Sequence, residues 1–190
     1  MSKRANGIME NKCRVEQQFL PRHCGVSLNY YPTTTPKRIA KEDAELPARD
    51  KYHEVVKQAL VHDGWTITHD PYRLSIGLRR AYIDLGAEMP IGAEKSGRFI
   101  AVEIKSFLGL SELDDLENAL GQFGVYQVAL RKRDPNRILY LALPDDIRGM
   151  LLDESDFRDI LRAFNARLIF FDPKMEAITK WIETIPTEPL

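Results

Sequence analysis

Apolar and polar positions alternate most regularly between Ala81 and Phe107. Ile100, Val102 and Ile104 fall on one side of a period of two, and Ala101, Glu103 and Lys105 on the other. That alternation predicts a strand with two different faces. The stretch before it repeats the pattern, with Ile83, Leu85 and Ala87 set against Asp84, Gly86 and Glu88. Ser96-Gly97 reads as a tight turn between the two arms. The expectation is a β-hairpin whose polar face carries carboxylates and a lysine. A two-residue turn there sets Glu103 opposite Pro90 and Lys105 opposite Glu88. Asp84 then lies four residues beyond Glu88, about 13 Å along the strand. Asp84 meets Glu103 only if the first arm bends or bulges, and Pro90 and Gly92 are the expected place for the break. Without a break, Glu88 is the nearer partner.

The period changes to 3.6 on either side. Tyr52, Val55, Val56, Ala59 and Leu60 share one face of a helix that Gly64 stops. Trp65 to Asp70 reads as a strand and Asp70-Pro71 as a turn. Tyr72 to Arg80 fits neither period. After the hairpin, Ser111 and Asp114 resemble a capping box. Leu113, Leu116, Leu120, Phe123 and Leu130 give the following helix an apolar face as far as Lys132. Arg137 to Leu143 is a buried strand, Ile147 to Leu152 a short helix, and Phe157 to Phe164 an amphipathic helix. Leu168 to Asp172 and Ala177 to Trp181 are the last strands, and the tail from Pro186 is expected to fray. The leading six elements run helix, strand, two hairpin strands, helix, strand. The fold class is therefore α/β, with a mixed sheet flanked by helices.

Composition modifies this picture at the N-terminus. Of 190 residues, those up to Pro47 hold four of the eleven prolines, both cysteines, and no persistent period. Residues 1–48 are expected to form a disordered arm, and 49–185 a single domain. The arm carries eight Lys and Arg against five Asp and Glu, leaving 19 basic against 23 acidic residues in the remainder. A formal net charge of −1 argues against a protein that coats nucleic acid through bulk charge. It leaves a nuclease open, because a bound cation supplies local positive charge. Cys13 and Cys24 lack metal-ligand spacing. With no apolar run of membrane length and no secretory signal, a cytoplasmic protein is expected.

The chemistry suggested by the hairpin is that of a divalent cation. Two carboxylates suit a hard ion such as Mg²⁺ or Mn²⁺, and a lysine beside it can orient water or offset charge on a phosphate. Glu-x-Lys alone is common in amphipathic strands. Joined to the αβββαβ order, it resembles the PD-(D/E)xK, restriction-endonuclease-like superfamily. From about Arg49 to Trp181 the chain more closely resembles the XisH family, the fdxN element excision controlling factors. That resemblance rests on Gly64-Trp-Thr-Ile-Thr-His-Asp-Pro71, Tyr82-Ile-Asp-Leu-Gly-Ala-Glu88, Ala101-Val-Glu-Ile-Lys-Ser-Phe107, Ala119-Leu-Gly-Gln-Phe123 and Leu139-Tyr-Leu-Ala142.

The resemblance implies a role in programmed DNA excision beside a site-specific recombinase and a small XisI-like partner, with DNA as the target. It implies Asp84 and Glu103 as metal ligands, with Glu88 as the alternate, and Lys105 as the residue that positions water. Gln122 and Tyr126, four apart on one helix face, resemble the Gln-x-x-x-Tyr of RecB-type nucleases, with Gln122 on the water or the lysine and Tyr126 on DNA. They also suit an ordinary polar stripe. Glu54 is the candidate for a first-helix glutamate, although it falls opposite the Tyr52–Val55–Val56 face and His53 lies nearer that face's edge. The histidines form no triad. Gly121 and Gly124 inside a helix suggest close approach by a partner or substrate. Two functions follow as alternatives: a Mg²⁺-dependent endonuclease, or a non-catalytic binding factor that holds DNA or the recombinase with the XisI-like protein. The sequence is compatible with a homo-oligomer.

Overall fold

A six-stranded mixed sheet organises the computed structural model of this chain, which describes residues 48–89 and 97–188. The elements in chain order are α1 (His53–His62), β1 (Thr66–His69), β2 (Tyr72–Ile76), β3 (Arg79–Ile83), β4 (Leu85–Met89), β5 (Arg98–Ile104), α2 (Glu112–Arg133) and β6 (Arg137–Pro144). A 3₁₀ turn at Asp145–Ile147, α3 (Arg148–Asp153), α4 (Ser155–Ala163), β7 (Leu168–Asp172) and β8 (Ala177–Ile182) follow. Strands lie in the order β1-β4-β5-β6-β7-β8, with β2 and β3 in a small sheet of their own. The β5–β6 and β6–β7 pairs are parallel and the others antiparallel. Setting aside β2–β3, the order through β6 is αβββαβ. The arm at residues 1–48 and the break expected at Pro90 and Gly92 lie essentially outside the described residues.

Local signals account for the helix ends. At the end of α1, Gly64 takes φ +90°, Gly64 N–H donates to the Val61 carbonyl and Trp65 N–H to the Leu60 carbonyl. This is a Schellman cap, which requires the left-handed backbone that glycine tolerates. At the start of α2, Ser111 Oγ accepts from Asp114 N–H at 3.2 Å, a cap whose loss typically costs about 1 kcal/mol.

Both sheet faces are covered. One layer packs Val56 and Leu60 of α1 on Leu85, Ala87, Ile100, Val102, Ile104, Tyr140 and Phe171. The other packs Leu116, Ala119, Leu120 and Phe123 of α2, with α3, α4 and the β2–β3 hairpin, on Ala101, Leu139, Leu141, Leu143 and Phe170. The face predicted to be polar is therefore an interior one. Leu113, predicted on the apolar face of α2, is half exposed. A Cβ on Gly124 would stand 3.6 Å from the Phe164 ring, while one on Gly121 would have open space beside it.

Two further corrections bear on the site. The Ser96-Gly97 turn falls in a connection that lies largely outside the described residues, between β4, which ends at Met89, and β5, which begins at Arg98. Their register pairs Leu85 with Val102, Gly86 with Ala101 and Glu88 with Phe99, six positions away from the expected pairing. The first arm is not one strand either. It divides at Asp84, a bend with β3 in the small sheet before it and β4 in the main sheet after it.

Candidate metal centre

Continuing the β4–β5 register one step past Leu85 and Val102 brings Asp84 alongside Glu103. Asp84 is held there by its own bond: Ile104 N–H donates to Asp84 Oδ2 at 2.8 Å. The bend at Asp84 frees it from strand pairing on the β3 side. Its carboxylate then serves as acceptor for a β5 amide beyond the end of β4, which satisfies a backbone donor that would otherwise be orphaned.

Glu103 is 4% exposed, and Lys105 Nζ lies 2.9 Å from its Oε1. Its other oxygen, Oε2, is buried with no hydrogen-bond partner among the described residues. A buried charge with an empty acceptor is costly unless something else meets it. Burial and the adjacent Asp84 charge push the Glu103 carboxyl up to about 7, against the opposing pull of Lys105. Burial also raises Asp84, opposed by the Ile104 N–H and the charges of Lys105 and His53. These two carboxylates thus share one site with a single lysine bonded to one of them. Their unclaimed oxygens are the hard donors that suit a divalent cation.

The helices complete the surroundings. Lys105 opens onto a cleft of about 320 Å³ that is also lined by Asp50, Ser106, Asp115, Asn118 and Gln122. Tyr126, one turn beyond Gln122 on α2, is partly buried. Its phenol is pushed up to about 12 by burial and then by the charges of Glu103 and Asp84. Gln122 thus shares a cleft with Lys105, and Tyr126 lies close enough to feel the charges of Glu103 and Asp84. Glu88 is not brought in, since it pairs with Thr66 and Phe99, about 13 Å along β4 from Asp84. Glu54 is exposed and bound to Arg49 at 2.8 Å.

His53 occupies the place on α1 facing the site. It is 3% exposed, with Nε2 2.9 Å from Asp70 Oδ1 and Nδ1 4.0 Å from Asp84 Oδ1. Asp50 ties the start of α1 to the end of β5, accepting from Tyr52 N–H at 2.8 Å and Ser106 N–H at 3.0 Å. Burial pushes the Asp70 carboxyl up, but the Lys57 hydrogen bond and the charges of His53 and Lys57 outweigh it and leave the group below its usual range. His53, Glu54 and Asp70 offer ligand atoms within 4.8 Å of one another. The Asp70 oxygens are already engaged by Lys57, Arg49 and His53. Sequence reasoning assigned no role to Asp50, His53 or Asp70. The signal for His53 was its place at the edge of the apolar helical face.

Known proteins agree with this architecture. A family model described as XisH protein matches residues 46–179. Two solved structures are similar. An XisH family protein from Nostoc punctiforme PCC 73102 is 37% identical, with a TM-score of 0.62 over 70% of this chain and 99% of that one. An fdxN element excision controlling factor protein from Anabaena variabilis is 39% identical, with the same TM-score and coverage. Among curated proteins nothing matches. No described helix is long and apolar enough to cross a membrane.

Proposed function

This chain belongs to the XisH family, and from that premise we propose that it acts in programmed DNA excision as a nuclease of the PD-(D/E)xK kind. The reaction class is hydrolysis of a DNA phosphodiester. The observation that carries the reading is the β4–β5 register, which brings Asp84 to Glu103, whose buried Oε2 has no hydrogen-bond partner among the described residues.

Asp84 and Glu103 would hold Mg²⁺ or Mn²⁺. When bound, such an ion polarises a phosphate and lowers the pKa of coordinated water. The chain's own residues supply the rest. Lys105, steadied by Glu103 at 2.9 Å, presents an ammonium at the mouth of the cleft, where it orients water and offsets negative charge on the phosphate. Gln122 lines the same cleft and holds the water or the lysine head. Tyr126 stays neutral and offers a hydroxyl donor. His53 stands beside Asp84 on the α1 side, with Nδ1 4.0 Å from Asp84 Oδ1.

A second reading has one observation in its favour. A groove of about 490 Å³ between the β2–β3 hairpin and α2 is mostly apolar, lined by Ile76, Val125, Val128 and Ala129 among others. Such a surface suits an accessory factor that docks a small XisI-like protein or the recombinase and cuts nothing itself.

One assay separates them. Supercoiled plasmid and branched DNA are incubated with the protein in Mg²⁺ or Mn²⁺, with and without an XisI-like partner, beside Lys105→Ala. The nuclease reading expects metal-dependent nicking that falls at least a hundredfold in the variant, the usual scale for losing one transition-state donor. Equal activity in wild type and variant, or none under any condition, overturns it.

A further inference from the structure

The β2–β3 hairpin leaves the main sheet after Asp70 and returns at Asp84, so its base stands at the candidate centre. Its turn is the two-residue Gly77-Leu78 between Ile76 and Arg79, with Gly77 at φ +59°. Glycine with positive φ at the first position, followed by a residue with negative φ, makes a type II′ turn, whose twist matches the flanking strands. The register pairs Arg73 with Tyr82 and Ser75 with Arg80 on one face, and Tyr72 with Ile83 and Leu74 with Ala81 on the other. Leu74 and Ile83 are buried toward α2. The face with Arg73, Arg80 and Tyr82 therefore points away from the core.

The charge on this ribbon departs from the rest of the chain. Between Pro71 and Ile83 there are three arginines and no acidic residue, in a protein whose net charge is −1. Arg73, Arg79 and Arg80 are exposed. Among the described residues none of the three is ion-paired, nor are Arg131, Arg133 and Arg158, whereas Arg49, Arg98, Arg137, Arg148, Arg162 and Arg167 are. Lys132 and Arg133, in the last turn of α2, line one groove with Ser75–Gly77 and add to the same positive end. Tyr82 continues the outward face to the centre itself, lining one small cleft with Asp84, His53 and Asp70.

We propose that the outward face of β2–β3 is a DNA-backbone clamp, with Arg73 and Arg80 on phosphates flanking the one presented to Asp84 and Glu103. A two-stranded ribbon fits the groove of duplex DNA, and arginine forks match phosphate oxygens. Arg80 stands four residues from Asp84, about 13 Å along an extended strand. One DNA strand carries a phosphate about every 3.4 Å of helix axis, so Arg80 reaches a phosphate only a few nucleotides from the centre. The clamp also supplies positive potential at a site whose own side chains are mainly acidic. The proposal rests on the nuclease reading for the position of the reacting phosphate, but not for the contact itself.

The test measures binding apart from cleavage. Anisotropy of a labelled DNA duplex is titrated with full-length protein in EDTA over a series of salt concentrations. Four variants are compared: Arg73→Gln/Arg80→Gln, the single Arg73→Gln and Arg80→Gln, and a control carrying Arg148→Gln and Arg162→Gln. The clamp expects the hairpin double variant to lose roughly tenfold or more in affinity and to flatten the log–log salt slope by about two, each single change by about one. Its thermal melt should match wild type. Wild-type affinity and slope in the hairpin variants, an equal loss in the control, or no duplex binding by wild type overturns the clamp. Asp84→Asn distinguishes the two proposals. If it binds as wild type while no protein nicks DNA, the nuclease reading fails and the clamp stands.

Discussion

Glu103 is the residue on which the site turns. Its carboxyl is buried, flanked by Asp84, and pushed from 4.5 up to about 7. A carboxyl whose pKa rises on folding favours the folded state most while it is protonated. That contribution is complete below pH 4.5 and is lost as the pH climbs through 7. The shift corresponds to an order of 3 kcal/mol in the metal-free protein. Glu103→Gln should therefore raise metal-free stability at pH 8 by up to about that amount and change little at pH 4. Denaturant titrations at the two pH values check this, and a variant less stable at pH 8 would contradict it. The motif around Glu103 was legible because Glu-x-Lys on a period-two strand is a local pattern. Its burial was not, since alternation cannot say whether a polar strand position meets water or a helix. His53 was hidden for a similar reason: only the packed fold shows that the edge of α1 faces Asp84.

At the scale of elements, the division of one extended stretch into β3 and β4 places Asp84. Gly86 makes the close approach there possible. A Cβ on it would come within 2.9 Å of the Tyr72 ring and 3.2 Å of His69 Cβ. Tyr72 is itself held, donating to Asp134 Oδ2 at 3.1 Å with the Arg137 guanidinium 4.7 Å from its ring centre. Gly86→Ala must push the base of the hairpin off β4. It should cost about 1–3 kcal/mol, the usual range for overpacking, and lower cleavage more than it lowers stability at assay temperature. Melting and nicking rates on the same preparation measure both. Helices and most strands were readable because their periods run long and their caps are standard, as Ser111 and Gly64 show. The β4–β5 register was not, because it depends on the length of the connection, and sequence patterning at Ser96-Gly97 suggested a shorter one. The β2–β3 hairpin escaped because Gly77 and the Arg79-Arg80 pair interrupt an already short alternation.

For the whole molecule, a cation held at the proposed centre would be linked to the fold. The carboxylates lie on β5 and at the β3–β4 junction, and the elements around them come from both layers. A ligand that binds only this assembled site stabilises all of it, by about 2.7 kcal/mol at a hundred times its dissociation constant. Mg²⁺ or Mn²⁺ should raise the melting temperature at pH 8, do so less at pH 5 where protons compete for Glu103, and do nothing for Asp84→Asn. Calorimetry with a chelator control decides it, and an equal shift in wild type and Asp84→Asn would count against the site. The path of the chain has one more consequence. His69 of β1 pairs with Gly86 of β4, so the polypeptide departs from the main sheet and rejoins it at neighbouring positions. The hairpin between them has a closed base. Adding or removing a residue pair at its tip changes its reach by about 3.3 Å and leaves the register of the six strands alone. The reach of this arm can thus vary as an interchangeable module, and grafting a longer or shorter tip is the natural route to a relative with a different footprint on the same scaffold.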